Sequence, residues 1–320
     1  MVRLLLLTYF DPGDLPVLLT QVRRAALPAS LPVFVGSYGA NVDAANEVSA
    51  LANGRYAPMF QLAEPWYREK RRLSPEEDPL VPKRYAGAIP VLAQLQTTRD
   101  RVGWGTELGS RFRDALRAAG DAGASIASWQ LDEIGPACAR PTGGPLREFV
   151  RGVLNGLLLG RPILRDTELS GFVWVAHSAL ALARQPVTPE LSSFWQTLDS
   201  AALGYVGEEY PPFEGDARAA ARAQASGQRA LAEGGPVRRA LALKYVAGMT
   251  PGYHLVSGLG GNVHHWTRPQ VNSWRATYVR ERASSGVMGL GEFDFRSGNA
   301  SATVMHDTLS ALAAAASGKT

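Results

Sequence analysis

Acidic side chains stand at or just beyond the ends of several short apolar segments of this 320-residue chain. Carboxylates gathered in one partly dehydrated pocket push their pKa values apart, so that one stays protonated near neutral pH while another is ionised. Cleavage of a glycosidic bond needs that division of labour, because one group protonates the leaving oxygen and the other acts as nucleophile or base. The candidate residues are Glu107, Asp132, Glu133, Glu208, Glu209, Glu292 and Asp294.

Aromatic and histidine side chains accompany these carboxylates. Indole and phenol rings pack against the C–H faces of sugars, so residues beyond segment ends are expected to shape a substrate pocket. The candidates are Trp66, His177, Tyr210, Tyr253 and His265. His264 and His265 are adjacent, and neighbouring side chains of an extended loop point in opposite directions. None of the predicted strand segments ends in two histidines and a carboxylate spaced to bind one metal ion. We therefore expect neither a metal nor an organic cofactor.

The elements that must position these residues alternate along the chain. Apolar segments rich in β-branched and aromatic residues predict strands, and Ala-, Arg- and Leu-rich segments between them predict helices. The strand segments are 3–9, 32–38, 56–62, 101–107, 125–132, 171–177, 203–208, 241–247 and 287–293. The helix segments are 15–26, 42–52, 86–95, 110–119, 146–159, 189–202, 216–232, 270–283 and 303–316.

This alternation predicts an α/β fold in which a parallel sheet is covered by helices. Sustained over most of the chain, it favours a single (β/α)₈ TIM-like barrel spanning residues 1–320, with loop insertions at 68–83 and 253–268. One strand candidate is surplus to such a barrel. Either segment 3–9 is an added N-terminal strand, which we prefer, or segment 241–247 continues a helix begun at Val237. A doubly wound open sheet is the alternative, although no phosphate-binding glycine motif follows the early strands.

Three segment ends resemble those of TIM-barrel glycoside hydrolases. They read Trp129-Gln130-Leu131-Asp132-Glu133, Gly207-Glu208-Glu209-Tyr210 and Gly291-Glu292-Phe293-Asp294. The resemblance implies a proton donor closing the fourth strand, which falls at Glu133 with Asp132 tuning it. The family's usual nucleophile closes the seventh strand, where this chain reads Gly248-Met249-Thr250. That departure moves the opposing carboxylate to Glu208.

The same residues also have purely structural interpretations. Asp132 and Glu133 suit the N-terminus of the helix that follows, and the other carboxylates suit ion pairs with arginines. Two further functions therefore stay open. A sugar-binding barrel without catalysis would keep the aromatic rim, and a barrel isomerase or lyase for a small acidic metabolite would use Arg140, Arg268 or Arg296 as an anion clamp.

Composition excludes several other classes of protein. The net charge is +4, and the densest basic stretch, residues 68–72, is balanced by acidic neighbours, so no nucleic-acid partner is expected. The single cysteine provides no disulfide framework. The apolar run at residues 4–7 is too short for a secretion signal, and no segment is long enough to span a bilayer. We expect a soluble, metal-independent hydrolase of carbohydrate metabolism, either cytoplasmic or secreted after loss of a leader.

Overall fold

A computed structural model describes most of the sheet and many of the helices. It covers residues 3–8, 15–24, 33–38, 56–62, 99–122, 128–131, 143–158, 170–175, 178–209, 215–249, 267–283, 289–292 and 310. The strands are β1 (Arg3–Thr8), β2 (Val33–Tyr38), β3 (Tyr56–Leu62), β4 (Ser128–Leu131), β5 (Ser170–Trp174), β6 (Ala202–Glu208), β7 (Tyr245–Met249) and β8 (Gly289–Glu292). Within these ranges the helices are α1 (Leu15–Arg24), α2 (Arg101–Asp121), α3 (Gly144–Leu158), α4 (Ala179–Arg184), α5 (Pro189–Ala201), α6 (Ala217–Glu233), α7 (Pro236–Leu243) and α8 (Arg268–Ala283).

The strands form a parallel sheet that closes on itself. Each strand from β1 to β7 pairs in parallel with the next one along the chain, and β8 pairs with β1. Closure leaves no exposed sheet edge, and the parallel order brings all carboxyl ends to one rim. The predicted α/β class and parallel sheet are confirmed. The single-domain extent over residues 1–320 stays a prediction.

Ring contacts establish which residues face the barrel interior. The rings of Phe34 on β2 and Phe172 on β5 meet edge to face with centroids 5.1 Å apart, although these strands are not neighbours. Such a contact is made across the interior. Tyr205 on β6 instead packs against Trp195 of α5 and donates a hydrogen bond to Asp199 of the same helix. Because successive side chains of a strand alternate between faces, these contacts define the inner and outer sets of every paired strand.

Segment 101–107, predicted as a strand, is the first turns of helix α2, and that prediction was wrong. Trp104, Leu108, Phe112 and Leu116 recur every four residues and are all buried, which is a helical stripe. Valine and tryptophan in the first turn produced the strand-like composition. The surplus strand was therefore this one.

The N-terminal strand is an integral member of the barrel, so its assignment as an added element was wrong too. β1 pairs with both β2 and β8. The two errors offset each other, and β4 and β6 keep the fourth and sixth places that the sequence assigned to them. Segment 241–247 divides: α7 (Pro236–Leu243) ends, and β7 (Tyr245–Met249) begins two residues later.

Helices α2 and α3, which precede and follow β4, pack unusually close together. Glycines line both sides of the joint: a Cβ at Gly105 would lie 2.1 Å from the carbonyl oxygen of Phe149, and one at Gly152 would lie 2.1 Å from that of Val102. Arg113 donates a 3.0 Å hydrogen bond to the carbonyl of Gly156 across the same joint. Backbone contact of this kind ties the two helices closely to each other.

Candidate active site at the carboxyl ends of the strands

Glu208, one of the carboxylates favoured by the sequence, stands at the rim formed by the carboxyl ends of the strands. Glu208 is the last residue of β6 and pairs with Gly248 of β7. β4 ends at Leu131, immediately before Asp132 and Glu133, and these two residues lie outside the described ranges. The closed parallel barrel therefore provides the common rim that the prediction required.

Backbone alternation places position 208 on the inner face of β6. Gly204 pairs with Phe172, and a Cβ at Gly204 would lie 3.1 Å from the Phe172 ring, so Gly204 faces the interior. Position 208 is four residues further along the same strand and is in phase with it. Position 209, which follows directly, belongs to the outer set with Tyr205 and Gly207. Two adjacent glutamates thus have opposite placements.

Glu209 is fully buried in the layer between the barrel and its helices. Its Oε1 accepts a 2.9 Å hydrogen bond from the backbone N–H of Ala179, the first residue of α4, and a 2.7 Å bond from the phenol of Tyr245. The Tyr245 phenol in turn lies over Gly207, where a Cβ would come within 2.0 Å of the Tyr245 oxygen. One carboxyl group therefore joins the end of β6 to α4 and to β7.

Electrostatics make Glu209 an acid poised near neutrality. Burial raises the pKa of its carboxyl to about 7, and the hydrogen bonds from Ala179 and Tyr245 and the charge of Arg282 oppose that rise. The Arg282 guanidinium of α8 lies over the rings of Tyr245 and Tyr278, 5.8 Å from each centroid. Burial also holds the pKa values of both phenols well above their ordinary value. The cluster thus consists of the Tyr245 and Tyr278 phenols, the Arg282 guanidinium and the Glu209 carboxyl, which accepts a hydrogen bond from Tyr245.

The cluster of Glu209, Tyr245, Tyr278 and Arg282 links strands to helices and does not face the barrel interior, where a substrate would bind. Its carboxyl is bound on the outer side of the strand, so the substrate contact predicted for Glu209 has no geometric support. Its hydrogen bonds instead tie the side chain of Glu209 to α4 and to β7. Sequence patterning could not separate the two glutamates, because both end the same apolar segment.

Gln130 is a residue of the interior that the sequence reasoning did not select. It pairs with Phe172 in the β4–β5 register and therefore faces the interior, one residue before the end of β4. It is fully buried, and neither its amide nitrogen nor its amide oxygen has a hydrogen-bond partner in the described part of the chain. A polar residue at an inner-face position of an apolar strand is the signal that could have identified it.

The remaining predicted residues have different placements. Glu107 lies on α2, where it pairs with Arg111 at 3.1 Å and is about 40% exposed, so its predicted place at a strand end was wrong. Glu292 is the last residue of β8 and pairs with Met249 and Leu6. Six candidates lie outside the described ranges: Trp66, His177, Tyr210, Tyr253, His265 and Asp294.

Within the described ranges, no group of three or more histidine, cysteine or acidic residues is placed to hold a metal ion. The helices of those ranges also include none that is long and apolar enough to cross a membrane.

Comparisons with known proteins assign no family to this chain. No protein-family model matches this chain, and no curated protein matches it. A similar solved structure is the apo form of an endo-β-N-acetylglucosaminidase from Cordyceps militaris, with a TM-score of 0.49 and 13% sequence identity over 97% of this chain and 90% of that chain. Similarity at this level assigns neither a family nor an activity to this chain.

Proposed function

We propose that this protein is a glycoside hydrolase that uses carboxylates at the carboxyl ends of β4 and β6. One observation carries the proposal: Glu208 ends β6 at an inner-face position of a closed parallel barrel whose β4 ends one residue before Asp132-Glu133. Barrel enzymes of this architecture act at that rim, because the strand ends and their loops converge there.

Within this proposal, the carboxylates have separate roles. Glu133 donates the proton to the leaving oxygen, and Asp132 tunes it. Glu208 is the opposing carboxylate, acting as nucleophile or as base for water. The carbohydrate-contacting groups are proposed among Trp66, His177, Tyr210, Tyr253, His265 and Asp294. Glu292 is left out, because Leu5 pairs with both Phe34 and Gly291, which puts Gly291 on the inner face of β8 and Glu292 on its outer face. No step of this chemistry calls for a cofactor.

The test compares two substrates across matched variants. Glu133→Gln is expected to lower turnover of an unactivated oligosaccharide strongly and that of an aryl glycoside much less, since a good leaving group needs little protonation. Glu208→Gln is expected to lower turnover of both substrates. Glu107→Gln is the control, because that glutamate lies on α2 in a half-exposed ion pair.

Two results would contradict the proposal. Turnover of both substrates at the wild-type rate in Glu133→Gln and Glu208→Gln would remove these residues from the chemistry. A wild-type protein that binds oligosaccharides and cleaves none of a broad panel would instead identify a carbohydrate-binding barrel.

A further inference from the structure

We propose that Tyr245 and Glu209 are positioning residues that hold Glu208 at the rim from the outer face of β6. The inference rests on the proposed function and deepens it, since it names the residues that would set the place of the opposing carboxylate. Three features of the outer face support it. The Tyr245 phenol packs on the residue before Glu208, it donates to the residue after Glu208, and that second residue is also bonded to α4.

The first contact is with Gly207, the residue before Glu208. The Tyr245 phenol occupies the space that a side chain at position 207 would need, because a Cβ there would overlap its oxygen and two of its ring carbons. Glycine lets another group approach a strand backbone this closely. The phenol therefore limits how far the last residues of β6 can move toward the helix layer.

The second contact is with Glu209, the residue after Glu208. The Tyr245 phenol donates a 2.7 Å hydrogen bond to Oε1 of Glu209, and both side chains are fully buried. The same oxygen accepts a 2.9 Å bond from the backbone N–H of Ala179. Packing and two bonds from two different elements lock the rotamer of a side chain. A locked side chain at position 209 restrains the peptide that joins it to Glu208.

These contacts bracket Glu208 in the chain. Positions 207 and 209 belong to the outer face and position 208 to the inner face, so both neighbours of Glu208 are held from the side of the sheet opposite to its own. β7 takes part twice, because it begins at Tyr245 and its Gly248 pairs with Glu208. A reacting carboxylate needs such restraint, since a misplacement of about 1 Å costs on the order of a hundredfold in rate.

Two other fully buried tyrosines of the described ranges make different contacts. The phenol of Tyr205, on the same outer face of β6, donates a 3.3 Å hydrogen bond to Asp199 of α5. The phenol oxygen of Tyr278, on α8, has no hydrogen-bond partner in the described part of the chain. Neither bond reaches the end of β6, so Tyr205→Phe and Tyr278→Phe are matched controls for Tyr245→Phe.

The first measurement is hydrogen exchange of backbone amides, which does not depend on activity. Tyr245→Phe keeps the ring over Gly207 and removes the bond to Glu209. We expect exchange over residues 206–209 to rise about fivefold relative to exchange in α3. The two control variants should leave this ratio near that of the wild type. A rise of equal size in α3, or the same rise in either control, would overturn the inference.

The second measurement is turnover of an aryl glycoside, whose cleavage depends little on the proton donor and so reports on Glu208. Tyr245→Phe is expected to lower kcat about tenfold with little change in KM, because the restraint acts on the reacting carboxylate. The two controls should retain the wild-type kcat. Wild-type kcat in Tyr245→Phe, or a raised KM with unchanged kcat, would contradict a positioning role.

A pair of substitutions at position 209 supplies a rescue test. Glu209→Gln keeps an oxygen that can accept the bonds from Ala179 and Tyr245, whereas Glu209→Met has a similar length and no such acceptor. We therefore expect a higher kcat in the glutamine variant. Equal kcat values in two folded variants would count against the inference, and Tyr245→Phe decides alone where Glu209→Met does not fold.

The two measurements separate this inference from the proposed function. Faster exchange at the end of β6 in Tyr245→Phe, together with wild-type kcat, would overturn the positioning role and leave the hydrolase intact. The same local exchange in a protein that cleaves no glycoside would overturn the hydrolase and leave the restraint on position 208 standing.

Discussion

Replacing Glu209 by glutamine tests whether this buried carboxyl makes the fold sensitive to pH. Glutamine has the shape of the protonated acid, and its oxygen can accept the same bonds from Ala179 and Tyr245. Its NH₂ takes the place of Oε2, for which the described residues provide no partner. The variant therefore keeps the contacts of the neutral form and removes the titration.

The magnitude follows from the difference between the folded and unfolded pKa values. Burial raises the pKa of Glu209 from 4.5 to about 7 in the folded protein. The folded state then holds the proton of Glu209 more tightly than the unfolded state does. The carboxyl therefore stabilises the fold fully below pH 4.5, and this stabilisation is lost as the pH rises through 7. At 1.36 kcal/mol per unit, the loss is about 3 kcal/mol of unfolding free energy.

The assay is urea unfolding of wild type and Glu209→Gln at pH 4.5, 6 and 8. Between pH 4.5 and pH 8, we expect the unfolding free energy of the wild type to fall by about 3 kcal/mol relative to that of Glu209→Gln. Glu233→Gln, which changes an exposed glutamate near the end of α6, is the control and should track the wild type. Tyr245→Phe removes a bond to the carboxyl and should steepen the loss above pH 7.

A constant difference in unfolding free energy between wild type and Glu209→Gln across this pH range would refute the reasoning. It would mean that the carboxyl of Glu209 has the same pKa in the folded and unfolded states, with its hydrogen bonds and the charge of Arg282 offsetting the effect of burial. A difference of the opposite sign, in which the wild type gains on the variant as the pH rises, would establish that a depressed pKa governs this site.

Two further predictions follow from the helices. Gly152→Ala is expected to lower the unfolding free energy by about 1 to 3 kcal/mol, because its methyl group would collide with the backbone of α2. Gly144→Ala is the control and should be near neutral in thermal unfolding, because a Cβ there would meet only the Arg147 side chain, at 3.9 Å. Glu107→Gln should change stability by less than about 1 kcal/mol, since its pair with Arg111 is half-exposed; a large loss of either stability or turnover would return Glu107 to the candidate site.

The strands were predictable where their apolar runs are short and bounded by turns. Segments 3–9, 32–38, 56–62 and 203–208 match strands of the barrel to within one residue at each end. The helix that begins at segment 101–107 was not predictable from that segment. A seven-residue window ending at Glu107 is too short to show the buried apolar residues that recur every four positions as far as Leu116. A longer window would have shown the period of four. The membership of β1 depends on pairing with β8, which is distant in sequence and has no local signature.

The acidic end of β6 was predictable, and Glu208 is the last residue of that strand. The other members of the candidate site stay predictions. Positions 208 and 209 face opposite sides of the sheet. That phase is known only from the contacts of Tyr205 with α5 and of Gly204 with Phe172. Gln130 was passed over because its amide becomes meaningful only once its surroundings are known to provide no partner.

The glycine joint between α2 and α3 limits how this barrel can be divided and recombined. Side chains on either helix cannot grow without a matching retreat of the other, so substitutions in residues 101–121 and 144–158 are coupled. A chimera with a related barrel should exchange α2, β4 and α3 together as one block. A crossover point placed between Asp121 and Gly144 would bring together two helix surfaces from different proteins, and their backbones could not approach as closely as they do here.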